Sequence, residues 1–156
     1  MVNDTIKNSQ VCRLVEILLV EDSPSDANLI MKGFVNSKIA NNLHWVEDGE
    51  TAMNYLRQEG EFANSPRPDL ILLDLNLPGM DGREVLTELK SDPSFKRIPV
   101  VVLTTSADEQ DILRSYNLNA NCYVTKPLDV YQFIAVVHLI KDFWLAAATL
   151  PPDLSI

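Results

Sequence analysis

The segment Leu70-Ile71-Leu72-Leu73-Asp74-Leu75-Asn76-Leu77-Pro78-Gly79-Met80-Asp81-Gly82 joins four consecutive apolar residues to an aspartate and then to a loop rich in proline and glycine. A short run that is apolar at every position fits a strand covered on both faces, the condition of a parallel sheet sandwiched between helices. Val15–Val20 and Val100–Leu103 repeat the pattern, and shorter pieces lie near Leu43–Val46 and Cys122–Val124. Between these runs, apolar residues recur at three- and four-residue spacing, as in Ala27/Ile30/Met31/Phe34, Ala52/Met53/Leu56, Val85/Leu86/Leu89 and Val130/Phe133/Ile134/Val137, which marks amphipathic helices. Helix starts are expected at Ser25 or Asp26, at Asp48, at Asp81, at Ser106 or Asp108, and at Asp129, because these side chains can accept from the free N–H groups of a first turn. Strand–helix alternation repeated five times predicts an α/β fold: a doubly wound five-stranded parallel sheet with helices on both faces. In such sheets the functional crevice lies at the carboxyl ends of the strands.

The chain has 156 residues and a formal net charge of −9, which suits one domain and argues against nucleic acid or an anionic membrane as partners. The expected division is an N-terminal extension over 1–13, a domain over 14–147 and a tail over 148–156. The polar start lacks the apolar stretch of a signal peptide, and the runs at Leu70–Leu73 and Val100–Leu103 are too short to cross a bilayer. Cys12 and Cys122 are far apart and without close metal or redox partners. Cytoplasm is therefore the expected compartment. The Gln58–Pro68 stretch, rich in turn residues, reads as a surface loop.

The residues that close each apolar run form a chemically coherent set: Glu21-Asp22, Asp74, Thr104-Thr105-Ser106 and Thr125-Lys126-Pro127. If these segments are parallel strands, three carboxylates, a hydroxyl and an ammonium meet at one rim. Crowded carboxylates raise one another's pKa and stay ionised together only if a cation shares the site. An all-oxygen donor set without His or Cys selects a hard ion, Mg²⁺ or Mn²⁺. A metal, a lysine and a hydroxyl together are the means of neutralising a phosphoryl group during transfer. Asp74, opened at the crest by the Pro78/Gly79/Gly82 loop, is the favoured carboxylate nucleophile.

This set resembles the response-regulator receiver domain of two-component signalling, whose fold is flavodoxin-like. The successive spacings among Asp22, Asp74, Thr104 and Lys126 are 52, 30 and 22 residues, and the likeness spans roughly Val15 to Leu145. A narrower likeness, to the small regulators paired with cyanobacterial phytochromes, rests on the Gln58–Pro68 loop, on Pro99-Val100-Val101-Val102-Leu103-Thr104-Thr105-Ser106 and on the tail from Phe143 to Pro151. The resemblance implies that Asp74 accepts a phosphoryl group from the histidine of a sensor kinase, here a phytochrome. It implies that Asp22, Asp74 and the backbone carbonyl of Asn76 ligate Mg²⁺ (or Mn²⁺), with Glu21 holding a metal-bound water. Lys126 would pair with Asp74 at rest and with a phosphate oxygen afterwards, aimed by a cis bond to Pro127. Thr104 would donate to the phosphate while the ring of Tyr123 swings inward. The position after Thr104 is usually small in the family; Thr105 is bulkier and is expected to modulate the approach of water or a partner.

A phosphatase of the haloacid-dehalogenase type would need a second aspartate two residues after Asp74 as general acid, and that residue is Asn76. A flavin binder would need a glycine-rich loop after the first strand, where Glu21-Asp22 would instead repel a phosphate. With every site position filled, a receiver reduced to pure interaction is also disfavoured. The short remainder after the fifth helix directs the expected output to a protein contact or to onward phosphotransfer. A homodimer on the face of the fourth helix, fifth strand and fifth helix is expected, with Phe143, Trp144 and Leu145 as contact candidates. Its competitor is a tail folded back on its own sheet. The inward stripe of the fifth helix is read as Val130, Phe133, Ile134, Val137 and Leu139 or Ile140.

Overall fold

A computed structural model describes residues 14–152; the expected extension over 1–13, with Cys12, and the end of the tail lie outside the described residues. Five parallel strands, β1 (Val15–Val20), β2 (Asn41–Val46), β3 (Leu70–Leu73), β4 (Val100–Thr104) and β5 (Cys122–Thr125), form one sheet in the order β2-β1-β3-β4-β5. They alternate with α1 (Pro24–Val35), α2 (Gly49–Leu56), α3 (Gly82–Ser91), α4 (Glu109–Asn117) and α5 (Val130–Lys141). This is the flavodoxin-like arrangement.

The three inner strands β1, β3 and β4 supply the side chains that hold both layers. Leu18, Val20, Ile71, Leu73, Val100 and Val102 face α2 and α3, whereas Ile17, Leu19, Leu70, Leu72, Val101 and Leu103 face α1 and α5. Alternate residues of a strand point to opposite faces, so both sets must be apolar, which is why these runs show no polar alternation. Each such side chain contributes about 1.5–3 kcal/mol on full burial. β2 and β5 are edge strands with only partial cover, and their sequences are correspondingly mixed. At Gly33 a Cβ would stand 2.5 Å from Val137 Cγ1; the missing side chain lets α1 lie directly on α5.

Four helix starts lie at expected residues, with Asp48, Asp81, Asp108 and Asp129 each accepting from a first-turn N–H. The fifth is corrected. Ser23, not Ser25 or Asp26, caps α1, because Pro24 occupies the first helical position, where its fixed φ and absent N–H cost nothing. The Gln58–Pro68 stretch is a largely exposed loop between α2 and β3, as expected. It contains a 3₁₀ turn at Gly60–Phe62, and the Phe62 ring packs edge-on against Tyr55 at 5.5 Å between centroids.

The end of the chain needs the largest revision. α5 runs on through a π-helical turn, Asp142–Ala147. The resulting 18-residue stretch has a mean hydropathy of 1.3, long and apolar enough by composition to cross a membrane. Here one side of it is packed on the sheet through Phe133, Val137, Ile140 and Leu145. Lys141-Asp142 interrupts its apolar runs, so its full length is not evident in the sequence. Of the expected inward stripe, Val130 is 55% exposed, and of the pair Leu139 or Ile140 it is Ile140 that is buried while Leu139 is 69% exposed. A helix apolar on nearly every side has no polar face to reveal its inward stripe. Of the three dimer candidates, Leu145 is buried in its own core and Trp144 is half-buried against it, while Phe143 is 55% exposed. The fold-back reading therefore holds for Leu145 and in part for Trp144.

Candidate functional site

The strand ladders deliver the site. Glu21 N–H donates to Val46 O (3.0 Å), Asp74 N–H to Val20 O (3.0 Å) and Lys126 N–H to Thr104 O (2.7 Å). The residue after each of β1, β3 and β5 is thus fixed in register with its neighbour. Gly82 is required behind Asp74, because a Cβ there would overlap the Asp74 carbonyl oxygen and come within 2.6 Å of Leu75 Cα. Backbone cannot yield as a side-chain tip can, so even a methyl would displace the strand end.

Lys126 is the hub. Its Nζ lies 2.6 Å from Glu21 Oε2, 2.9 Å from Asp74 Oδ2 and 3.0 Å from Asp26 Oδ2, and its side chain is only 3% exposed. Glu21 and Asp74 are buried as well, and Thr104 is wholly enclosed. Asp22 is exposed. Asn76 N–H donates to Asp74 Oδ1 (3.1 Å) and Ser23 N–H to Glu21 Oε1 (3.1 Å), while Asn76 Nδ2 stands at a long 3.5 Å from Thr104 Oγ1. Thr105 is exposed beside this rim. The Lys126–Pro127 bond is trans, since the described residues contain no cis peptide. The expected cis bond is corrected: the ammonium already reaches its partners from the ordinary isomer, which X–Pro bonds favour by about 0.5–1 kcal/mol.

Burial pushes the Glu21 carboxyl up to about 7; the Lys126 bond opposes this and the negative charge of Asp74 reinforces it. For Lys126, burial lowers the pKa, but the bonds to Glu21 and Asp74 outweigh it and hold the ammonium above its ordinary value. The direction for Glu21 predicts a pH effect. A carboxyl whose folded pKa exceeds its unfolded value favours the fold most when protonated, and this contribution is lost as pH rises through the folded pKa. Relative to Glu21→Gln, the metal-free parent should lose stability as pH rises from the ordinary 4.5 to about 7. Melting curves of the two proteins across that range check it; parallel pH profiles would contradict the assignment.

A second network flanks the first. Tyr123 O–H donates to Ser106 O (2.8 Å), Ser106 O–H to Asp111 Oδ2 (2.7 Å), and Arg83 Nη2 pairs with Asp111 Oδ2 at 2.7 Å. The Arg83 guanidinium holds the Asp111 carboxyl below its usual range, and the Ser106 bond adds to it. The loop after β4, which begins at Thr105, is thereby tied to α3 and to Tyr123. Sequence reading did not find Arg83, Asp111 or Asp26. Asp26 was read only as a cap, although an acidic residue in a first turn beginning at Pro24 lies one turn beyond Asp22.

Ligand oxygens of Glu21, Asp22 and Asp74 lie within 4.8 Å of one another. Three carboxylate oxygens with no nitrogen or sulfur donor fit a hard divalent cation. A family model described as the response regulator receiver domain matches residues 17–138, a span that contains all three residues. This chain belongs to that family. The receiver is 53% identical over 135 residues to the response regulator Rcp1 of Synechocystis sp., covering 86% of this chain and 92% of that one. It is similar to the crystal structure of the phosphorylated cyanobacterial phytochrome response regulator RcpA, with a TM-score of 0.87, 56% identity, and coverage of 90% of this chain and 100% of that one. The Mn²⁺-bound form of Rcp1 superposes with a TM-score of 0.87 at 52% identity, covering 88% of this chain and 99% of that one. The receiver is a two-component signalling domain, and its acidic cluster is suited to a divalent metal.

Proposed function

We propose that Asp74 is the phosphoacceptor of this receiver, that Mg²⁺ is its working metal, and that a phytochrome-type histidine kinase in the cytoplasm is its donor. The observation that carries this reading is the Asp74 carboxylate, buried, 2.9 Å from the Lys126 ammonium and within one ligand sphere of Glu21 and Asp22. The likeness to RcpA, a cyanobacterial phytochrome response regulator that matches 90% of this chain, supports the phytochrome.

In the proposed transfer an Asp74 carboxylate oxygen attacks the phosphorus of a phosphohistidine. The new P–O bond forms as the P–N bond breaks, and the leaving imidazole nitrogen takes up a proton. Asp22, Asp74 and the Asn76 carbonyl would hold Mg²⁺, with Glu21 on a bound water, and the ion would supply positive charge against the transferring phosphoryl group. Lys126 then exchanges Asp74 for a phosphoryl oxygen, and Thr104 donates its hydroxyl. Asn76 stands where a phosphatase of the haloacid-dehalogenase type would need a general acid, so turnover of phosphomonoesters is disfavoured. Movement of Thr104 pulls on the loop that Ser106 and Asp111 tie to Arg83, and draws the Tyr123 ring inward. That transmits an added charge at Asp74 to α4 and β5. Mixing the receiver with a phytochrome kinase labelled from radioactive ATP tests the reading. Label should move to the receiver with Mg²⁺ and stay on the kinase with chelator.

The output surface proposed is a homodimer on the α4–β5–α5 face, where Leu128, Tyr131, Leu139 and Phe143 are exposed. Apolar surface of this extent marks a partner site, and a twofold contact would be self-complementary. Trp144 contributes only its free edge, and Leu145 is withdrawn from the set. Sedimentation equilibrium should show the parent associating at about ten micromolar, and Leu139→Asp/Phe143→Asp remaining monomeric with an unchanged melting temperature. A monomeric parent contradicts the dimer.

A further inference from the structure

The Lys126 ammonium has three N–H donors, and all three meet carboxylates: Glu21, Asp74 and Asp26. Glu21 and Asp74 belong to the metal-capable cluster with Asp22; Asp26 does not. When a cation draws Glu21 and Asp74 and a phosphoryl group covers Asp74, Asp26 is the one partner that neither displaces. It stands on the first turn of α1, its own N–H bonded to Ser23 Oγ at 3.3 Å, and its side chain is 29% exposed. The helix cap thus holds it in place without depending on the carboxylate.

We propose that Asp26 is a positioning residue that retains Lys126 throughout the phosphorylation cycle, and that its charge biases the site toward the cation and against the anionic phosphodonor. This rests on the phosphoacceptor reading of Asp74. The sign follows from Coulomb's law. Asp26 partly cancels the ammonium, so its neutralisation leaves a more positive site that repels a divalent cation and attracts a dianion. It also returns one N–H of Lys126 to a phosphate oxygen.

The test uses Asp26→Asn, which keeps shape and removes charge, Asp26→Ser as a second neutral variant, and Asp26→Glu as the charge-restoring control. Calorimetric titration with MgCl₂ should show a dissociation constant raised about three- to tenfold in both neutral variants. Acetyl phosphate serves as the donor at saturating Mg²⁺: an Asp74 oxygen attacks its phosphorus and acetate leaves as the P–O bond breaks. Its half-saturating concentration should fall by about the same factor, with the limiting rate little changed, and Asp26→Glu should return both constants toward the parent. A residue that merely supported the fold would worsen both constants together, with a lower melting temperature, and that result overturns the proposal. So do neutral variants within twofold of the parent on both constants, while the parent binds Mg²⁺ and takes label. A parent that takes no label from acetyl phosphate overturns the phosphoacceptor reading itself, and this inference with it.

Discussion

Lys126→Ala should lower the stability of the metal-free receiver by about 3–5 kcal/mol, the cost of leaving a buried charge without its partner. In the native site one ammonium balances Glu21, Asp74 and the half-buried Asp26. Its removal leaves two enclosed carboxylates facing each other, and these must either take up protons or open the rim to water. Urea unfolding without metal should therefore show a midpoint far below that of the parent. Much of the loss should return in millimolar Mg²⁺, since an ion bound only by the folded form restores the missing positive charge and stabilises by mass action. Lys126→Met, which fills the volume without charge, should behave as Lys126→Ala does. If the methionine variant is instead as stable as the parent without metal, the loss in the alanine variant comes from packing, and the charge balance described for the site is wrong.

The second large effect is chemical. Asp74→Asn should abolish phosphoryl transfer from the kinase, because a neutral amide offers no carboxylate oxygen to form the acyl phosphate. The fold should survive. Asp74 stands between two carboxylates and an ammonium, and one fewer negative charge relieves Glu21, whose pKa is raised in part by Asp74. The variant is therefore expected to be at least as stable as the parent in the absence of metal. An inactive variant with parental or higher stability separates loss of the nucleophile from loss of structure.

The parts of this receiver that were legible in the sequence share a physical cause. β1, β3 and β4 are covered on both faces, so burial wrote an unbroken apolar run into each, and the residue ending each run had to stand at the rim. Glu21, Asp74 and Thr104 were readable on that ground, whereas Lys126 follows the partly covered edge strand β5 and was readable from the Thr125-Lys126-Pro127 sequence beside the others. α5 was not, because it too is apolar almost all round: Phe133 and Val137 go inward, Val130 and Leu139 outward, and no polar stripe distinguishes them. The π-helical turn that carries Leu145 into the core has no signature in the residue types of Asp142–Ala147. Asp26 and the Arg83–Asp111 pair escaped for a different reason. Each joins elements separated by 28 to 100 residues, and an acidic residue in a first turn is explained well enough by the helix itself.

The claim on which the account turns is that the phosphoryl group resides on the Asp74 side chain. Reductive cleavage of the freshly phosphorylated receiver with tritiated borohydride, followed by peptide mapping, reads that position directly, because an acyl phosphate is reduced to a labelled alcohol while a free carboxylate is not. The account predicts tritium in the peptide containing Leu70–Gly82, at residue 74 alone, and none after chelation of the metal before phosphorylation. Tritium at Asp22 or at Glu21, or a phosphorylated receiver that takes up no tritium at all, would contradict it.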